Sequence, residues 1–171
     1  GAVAEIGEGP GRGFSVNIPL YPYTSDDDYI DAFGQVVPPL VAAFAPDILV
    51  TQLGIDSYYN DPLTHLQVTT EGYIEAVRQL AGLRLPWLAL GGGGYDVSAV
   101  PRAWALVYGV MLGAEWPDQL PMAFSKEHRV SRLRDQLRPE IPPEIKIDGR
   151  RYMEDVVGAI RQNIFPLHGI V

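Results

Sequence analysis

Two residues in this chain have the types and surroundings to do chemistry together. Asp56 follows the apolar run Ile48-Leu49-Val50-Thr51-Gln52-Leu53 by way of Gly54-Ile55. Tyr95 closes the run Gly91-Gly92-Gly93-Gly94-Tyr95, which follows the apolar stretch Leu85-Pro86-Trp87-Leu88-Ala89-Leu90. A short apolar run that stops at glycines reads as a buried strand emptying into a loop whose backbone approaches something closely. In α/β folds, ligands gather beyond the carboxyl ends of the strands. Two adjacent strand ends would bring a carboxylate and a phenol to one crevice. The carboxylate can give an oxygen to a divalent cation, and the phenol can donate a hydrogen bond to a developing oxyanion. The residues alone also allow plainer roles, with Asp56 as a turn or capping residue and Tyr95 packed on the helix that follows.

Other polar residues carry weaker signals. Asp61, in Asp61-Pro62-Leu63, reads as a loop-ordering carboxylate rather than a catalyst. His65 stands alone beside apolar residues and reads as structural. His128 and His168 lie outside every motif and read as surface or packing residues. Gly9-Pro10-Gly11-Arg12-Gly13 is not a phosphate loop, because no Gly-Lys-Ser/Thr follows it. A mononucleotide site on the glycine run would use the next helix's N-terminus. The run lacks Gly-x-Gly-x-x-Gly spacing, and Asp96 would repel phosphate.

The segments Gln52-Leu53-Gly54-Ile55-Asp56-Ser57, Asp61-Pro62-Leu63-Thr64-His65-Leu66, Leu90-Gly91-Gly92-Gly93-Gly94-Tyr95-Asp96 and Pro101-Arg102-Ala103-Trp104 resemble the zinc-dependent histone deacetylase superfamily. Tyr58-Tyr59-Asn60-Asp61-Pro62-Leu63-Thr64-His65-Leu66 is most similar to its bacterial acetoin-utilisation branch. The resemblance runs from about Glu5 to about Gly113 and covers the second half of the family's catalytic domain. It implies that Asp56 is a zinc ligand, preceding Tyr95 by the family's spacing of 39 positions. It implies that Tyr95 is the oxyanion donor and that Leu63 lines the substrate channel. Gly93 and Gly94 would let backbone lie beside that channel. The implied reaction is hydrolysis of an acetyl amide, on acetyl-lysine or a small acetylated amine. In it zinc polarises the carbonyl and activates water, and a histidine acts as general base.

The family takes its other two zinc ligands from an Asp-x-His motif and its base from a His-His pair. Neither occurs here: the three histidines stand apart, and no Asp precedes one by two positions. The chain is therefore expected to carry one metal ligand and the oxyanion tyrosine and to be inactive without an N-terminal half. It would pair with that half or self-associate. The alternative is a non-catalytic interaction module that keeps half of the crevice.

The elements that must position these residues follow an α/β order. The expected fold is a parallel sheet covered by helices on both faces, the three-layer arginase/deacetylase type, of which this is the C-terminal half. Residues 1–115 would form that half domain, and residues 116–171 a peripheral helical extension packed on it. Strands are predicted over Phe14–Leu20, Ile48–Leu53 and Trp87–Leu90. Helices are predicted from Ser25-Asp26-Asp27-Asp28 to Phe44, with a kink or restart at Pro38-Pro39, and from Thr69 or Thr70 to Leu80. Further helices are predicted over Ser98–Leu112, near Lys126–Leu137, and over Tyr152–Ile164, the last with Tyr152, Val156, Val157, Ile160 and Ile164 on one stripe.

Composition bounds the rest. With 171 residues, 47% of them hydrophobic, the chain is one domain or part of one. No apolar run approaches the roughly 18 residues of a membrane span, and no basic region precedes an apolar one as in a signal peptide. The absence of cysteine excludes disulfides, thiolate catalysis and cysteine zinc sites, and fits a cytoplasmic protein. A net charge of −8 argues against direct nucleic-acid binding. Arg129, Arg132, Arg134 and Arg138 lie among acids and read as a solvated helix face.

Overall fold

Three acids after Ser25 start the first helix, α1 (Asp26–Phe44), where negative charge meets the positive end of the helix dipole. The computed structural model describes residues 1–170. α1 runs as one helix through Pro38 and Pro39, so of the expected kink or restart the restart does not occur. The two prolines remove two amide donors, but Val36 and Leu40 on either side of the pair are held in the same apolar cluster. The helix ends where Ala45 turns left-handed, its N–H donating to Val41 O at 2.9 Å.

Strand β1 (Leu49–Leu53) then leads, through the Asp56 loop, to helix α2 (Thr70–Gly82). Thr69 caps α2, its hydroxyl oxygen accepting from the Glu71 and Gly72 N–H groups. Strand β2 (Trp87–Gly91) lies parallel to β1, in register from Leu49 opposite Trp87 to Leu53 opposite Gly91. Helix α3 (Ala99–Leu112) follows the glycine loop. This is a β-α-β unit, so both strands point their carboxyl ends, and hence Asp56 and Tyr95, the same way.

The sheet is small and is flanked by helices on one face. Leu53 and Trp87 pack against a core of Ile55, Ile74, Val77, Ala103, Leu106 and Val107, which also takes in Tyr29 of α1. On the opposite face Val50 is 59% exposed, Leu88 53% and Leu90 49%. The predicted covering of both faces is thus not met by the described residues: alternate strand residues are apolar on both sides, and only one side finds helices. The helices lie side by side in the order α5, α1, α2, α3.

Three further expectations change. Phe14–Leu20 forms no strand. Its alternating Val16, Ile18 and Leu20 pack on the second apolar cluster, with α1 and α5, instead of joining a ladder. The helix predicted over Lys126–Leu137 is shorter and earlier, α4 (Met122–His128), and stops at left-handed Arg129. Beyond it Leu133 is drawn into the core around α2 and α3, and Leu120 N–H to Ser131 O (3.0 Å) and Leu133 N–H to Asp118 O (2.7 Å) replace helical bonds. The last helix, α5 (Pro143–Asn163), begins nine residues before the predicted start, because Pro143 sits in its first turn, where a missing N–H costs nothing. Its buried stripe is Gly149, Met153, Val156, Val157 and Ile160, while Tyr152 turns outward beside Tyr21.

Candidate functional site

β1 and β2 are neighbours, so the loops after them face one another. Ile55 N–H donates to Gly93 O at 2.7 Å, which ties the Asp56 loop to the glycine run. Asp56 lies against Gly93 so closely that a β-carbon there would overlap its carboxylate. Gly94 has φ +136°, a region side chains rarely adopt, and is wedged against Ile55 and Val100. The glycine run therefore serves the carboxylate directly: it leaves room for Asp56 and turns the chain toward Tyr95. The backbone carbonyl of Asp56 accepts a hydrogen bond from the Thr64 hydroxyl, which fixes the far side of the same loop.

Asp61 performs the loop-ordering role read from the sequence. It is buried, and its two oxygens accept from Leu63 N–H (2.9 Å) and Tyr95 N–H (2.8 Å). One carboxylate thus gathers the backbones of two predicted site residues, 32 positions apart in the chain. Their side chains stand open: Leu63 is 65% exposed and Tyr95 53%. Asp96 caps α3, its Oδ1 accepting from the Ser98 and Ala99 N–H groups and from the Ser98 hydroxyl, while Oδ2 takes Asn60 Nδ2 at 2.9 Å.

Two phenols that the sequence reading did not single out, Tyr29 of α1 and Tyr73 of α2, lie near Asp56. Burial raises the pKa of Tyr29, and the negative charge of Asp56 raises it further. Tyr73 is raised by burial first, then by Tyr29 and Asp56. The Tyr73 hydroxyl is buried without a hydrogen-bond partner among the described residues. Both phenols are thereby held in the neutral form.

The histidines stay away from this crevice. His65 is exposed, with its ring 6.2 Å from that of Tyr23. His128 sits against Phe124, and His168 Nε2 pairs with Gly13 O at 2.8 Å. Among the described residues no group of three His, Cys, Asp or Glu comes together. Asp61 and Asp96 are occupied by N–H donors, which leaves Asp56 as the carboxylate open to a cation. Among the described residues the donors present do not make up a complete zinc centre, which takes about three protein ligands.

Below the crevice lies a buried polar ring that sequence reasoning missed. Arg102 Nη2 donates to Tyr58 OH (2.8 Å), Tyr58 OH donates to Asp135 Oδ1 (3.0 Å), and Arg102 Nη1 donates to the same oxygen (3.0 Å). Burial raises the Tyr58 pKa, with Tyr59 and Asp135 adding to it. Burial alone would lower that of Arg102, but Tyr58 and Asp135 more than offset this and hold it charged. A signal existed: Arg102 is the single charged residue in Ala99–Leu112.

A model of the histone deacetylase domain matches residues 1–111. The chain belongs to the histone deacetylase family. Among its relatives, acetoin utilization protein AcuC of Bacillus subtilis (strain 168) is 40% identical over 129 residues, which is 71% of this chain and 33% of that protein. AcuC of Staphylococcus xylosus is 36% identical over 160 residues, 90% of this chain and 40% of that one. Histone deacetylase 8 of Danio rerio is 30% identical over 167 residues, 96% and 43% respectively. The chain thus spans well under half the length of these deacetylase-family relatives. The Asp56 and Tyr95 loops lie inside the matched residues, and Asp135 lies beyond them.

Proposed function

We propose that this chain is the C-terminal portion of a zinc-dependent deacetylase that hydrolyses the amide of acetyl-lysine or of a small acetylated amine. The observation that carries this reading is the seating of Asp56 against Gly93, beside a Tyr95 whose backbone is anchored by Asp61. Zinc, when bound, supplies Lewis acidity to the scissile carbonyl and to water. Asp56 gives one oxygen to it and is held in place by the Gly93 contact and the Ile55–Gly93 bond. The remaining ligands and the general base come from the N-terminal half of the family's domain, and this chain alone is inactive. Tyr95 donates a hydrogen bond from its phenol to the carbonyl oxygen as charge develops there. Its half-exposed ring and fixed backbone suit that task, and losing such a donor costs about 3–4 kcal/mol. Leu63, Gly93 and Gly94 form the chain's share of a narrow channel wall. A cytoplasmic location is part of the same proposal, and no helix among the described residues is long and apolar enough to cross a membrane.

The test is deacetylation of a fluorogenic acetyl-lysine amide with added zinc. It uses the chain alone, the chain mixed with an N-terminal half from the family, and Tyr95→Phe in both settings. Activity is expected only in the mixture, falling about 10²–10³-fold in Tyr95→Phe. Tyr95-dependent activity of the chain alone would move the missing ligands onto residues of this chain, His65 first. A second reading, a non-catalytic interaction module, is favoured by the single free carboxylate at the crevice. Silence in every mixture would make it the better account.

A further inference from the structure

Arg102 is 2% exposed, and every part of its guanidinium is engaged. Besides Tyr58 and Asp135, Nε donates to Ser98 O at 3.0 Å, and Nη1 reaches Leu133 O and Arg132 O at 3.3 and 3.4 Å. Asp135 is the centre of the arrangement. Its Oδ1 takes both Tyr58 and Arg102, its Oδ2 accepts Thr70 N–H at 2.8 Å, and its own N–H donates to the Thr70 hydroxyl at 2.9 Å. One residue therefore joins three elements that frame the crevice. The first is the loop after β1, where Tyr58 stands two positions beyond Asp56. The second is the start of α2, which closes that loop. The third is the start of α3, whose Ser98 and Arg102 follow directly from Tyr95 and Asp96.

A clamp for residues beyond 111 would not need this chemistry. Taking a carboxylate and a guanidinium out of water can use up much of what pairing them returns, and packed apolar groups hold an extension as well. What the ionic ring adds is direction. Five hydrogen bonds with set angles leave Tyr58, Thr70 and Arg102 one mutual arrangement. We propose that Asp135 is a positioning residue: through Tyr58 and Arg102 it sets where Asp56 stands relative to Tyr95. The catalytic consequence rests on the deacetylase reading, while the geometric one does not.

The experiment compares Asp135→Asn and Tyr58→Phe with the unaltered full chain by site-resolved amide hydrogen exchange. In Asp135→Asn the amides of Ile55, Thr70 and Tyr95 are expected to exchange at least about tenfold faster, with Val157 and Ile160 in α5 within about twofold. In the complemented mixture, kcat should fall about 10²-fold while KM moves less than about threefold, as misplacement without lost binding requires. Equal acceleration at every amide, tracking global stability, would reduce Asp135 to a clamp and overturn the proposal, as would unchanged exchange around the crevice. If Asp135→Asn does not fold, Tyr58→Phe decides. It removes one hydroxyl, keeps the Arg102–Asp135 pair, and should accelerate Ile55 and Tyr95 selectively. A mixture with no activity in the unaltered protein sinks the deacetylase reading alone, and the exchange pattern still settles the positioning role.

Discussion

Asp56 and Gly93 are shaped for each other. The carboxylate occupies the volume a β-carbon at 93 would need, so the two residues act as a pair rather than as a ligand and a spacer. Gly93→Ala should cost about 1–3 kcal/mol through overpacking and displace the carboxylate. The same change made in an Asp56→Ala background should cost visibly less, because the atom it strikes is gone. A double-mutant cycle on urea unfolding measures this, and equal costs in both backgrounds would mean the strain falls elsewhere. Asp56, Tyr95 and the glycines stand out in the sequence because apolar run, glycine and polar group lie within ten positions of each other, and the structure brings their loops together. Asp61 was legible as an orderer of its loop, though not as the acceptor for Tyr95 N–H. Tyr73 was not, since an aromatic in an apolar helix looks the same whether it is packed, paired or functional; Arg102 stood out as a lone charge, but its partners did not.

The elements that hold the site begin with polar caps, and one of these is charged. Burial works against the charge of Asp96, but hydrogen bonds from Ser98, Asn60 and the Ala99 and Ser98 amides outweigh it and keep its pKa below the ordinary carboxylate range. A carboxyl depressed in the folded state contributes stability above its unfolded pKa of about 3.9. That contribution is lost as pH falls through the lower folded value. Asp96→Ala should therefore cost about 1 kcal/mol at pH 7, and its gap from the unaltered chain should narrow below about pH 4. Denaturant titrations at pH 7 and pH 3 check this, and a gap constant with pH would mean that the cap works without its charge. Elements with a local polar start signal were easier to read than α4 and α5, which lack a polar cap. Asp26 to Asp28 and Thr69 announce helices locally, whereas α4 stops because Leu133, five residues past its end, is needed in the core.

At the scale of the molecule, the open sheet face dominates. Ile48, Val50, Leu88 and Leu90 form an exposed apolar surface on a ladder with an unpaired edge on each strand. Surfaces of this kind draw partners. The chain on its own should self-associate with rising concentration. Leu88→Lys should suppress this while changing folding stability by no more than about 0.5 kcal/mol, because the side chain is half exposed. Sedimentation velocity over a concentration series reads both, and an unaltered chain that stays monomeric throughout, with one cooperative unfolding transition, would refute it. Adding the N-terminal half should compete with self-association if that half covers the same face.

Hydrogen-bonding valence and backbone freedom act over a few residues. For that reason the strand–helix–strand order around the crevice and the glycine turn could be read directly from the amino acids. Contacts between distant residues have no such local signature. Tyr58 and Asp135 meet across 77 positions, and Arg102 and Asp135 across 33. Val16, Ile18 and Leu20 alternate as a strand would, yet find helices α1 and α5 before any strand. Which apolar face is buried, where α4 gives way, and which carboxylate aligns the crevice were settled by three-dimensional packing, because burial and charge pairing depend on what the folded chain places alongside.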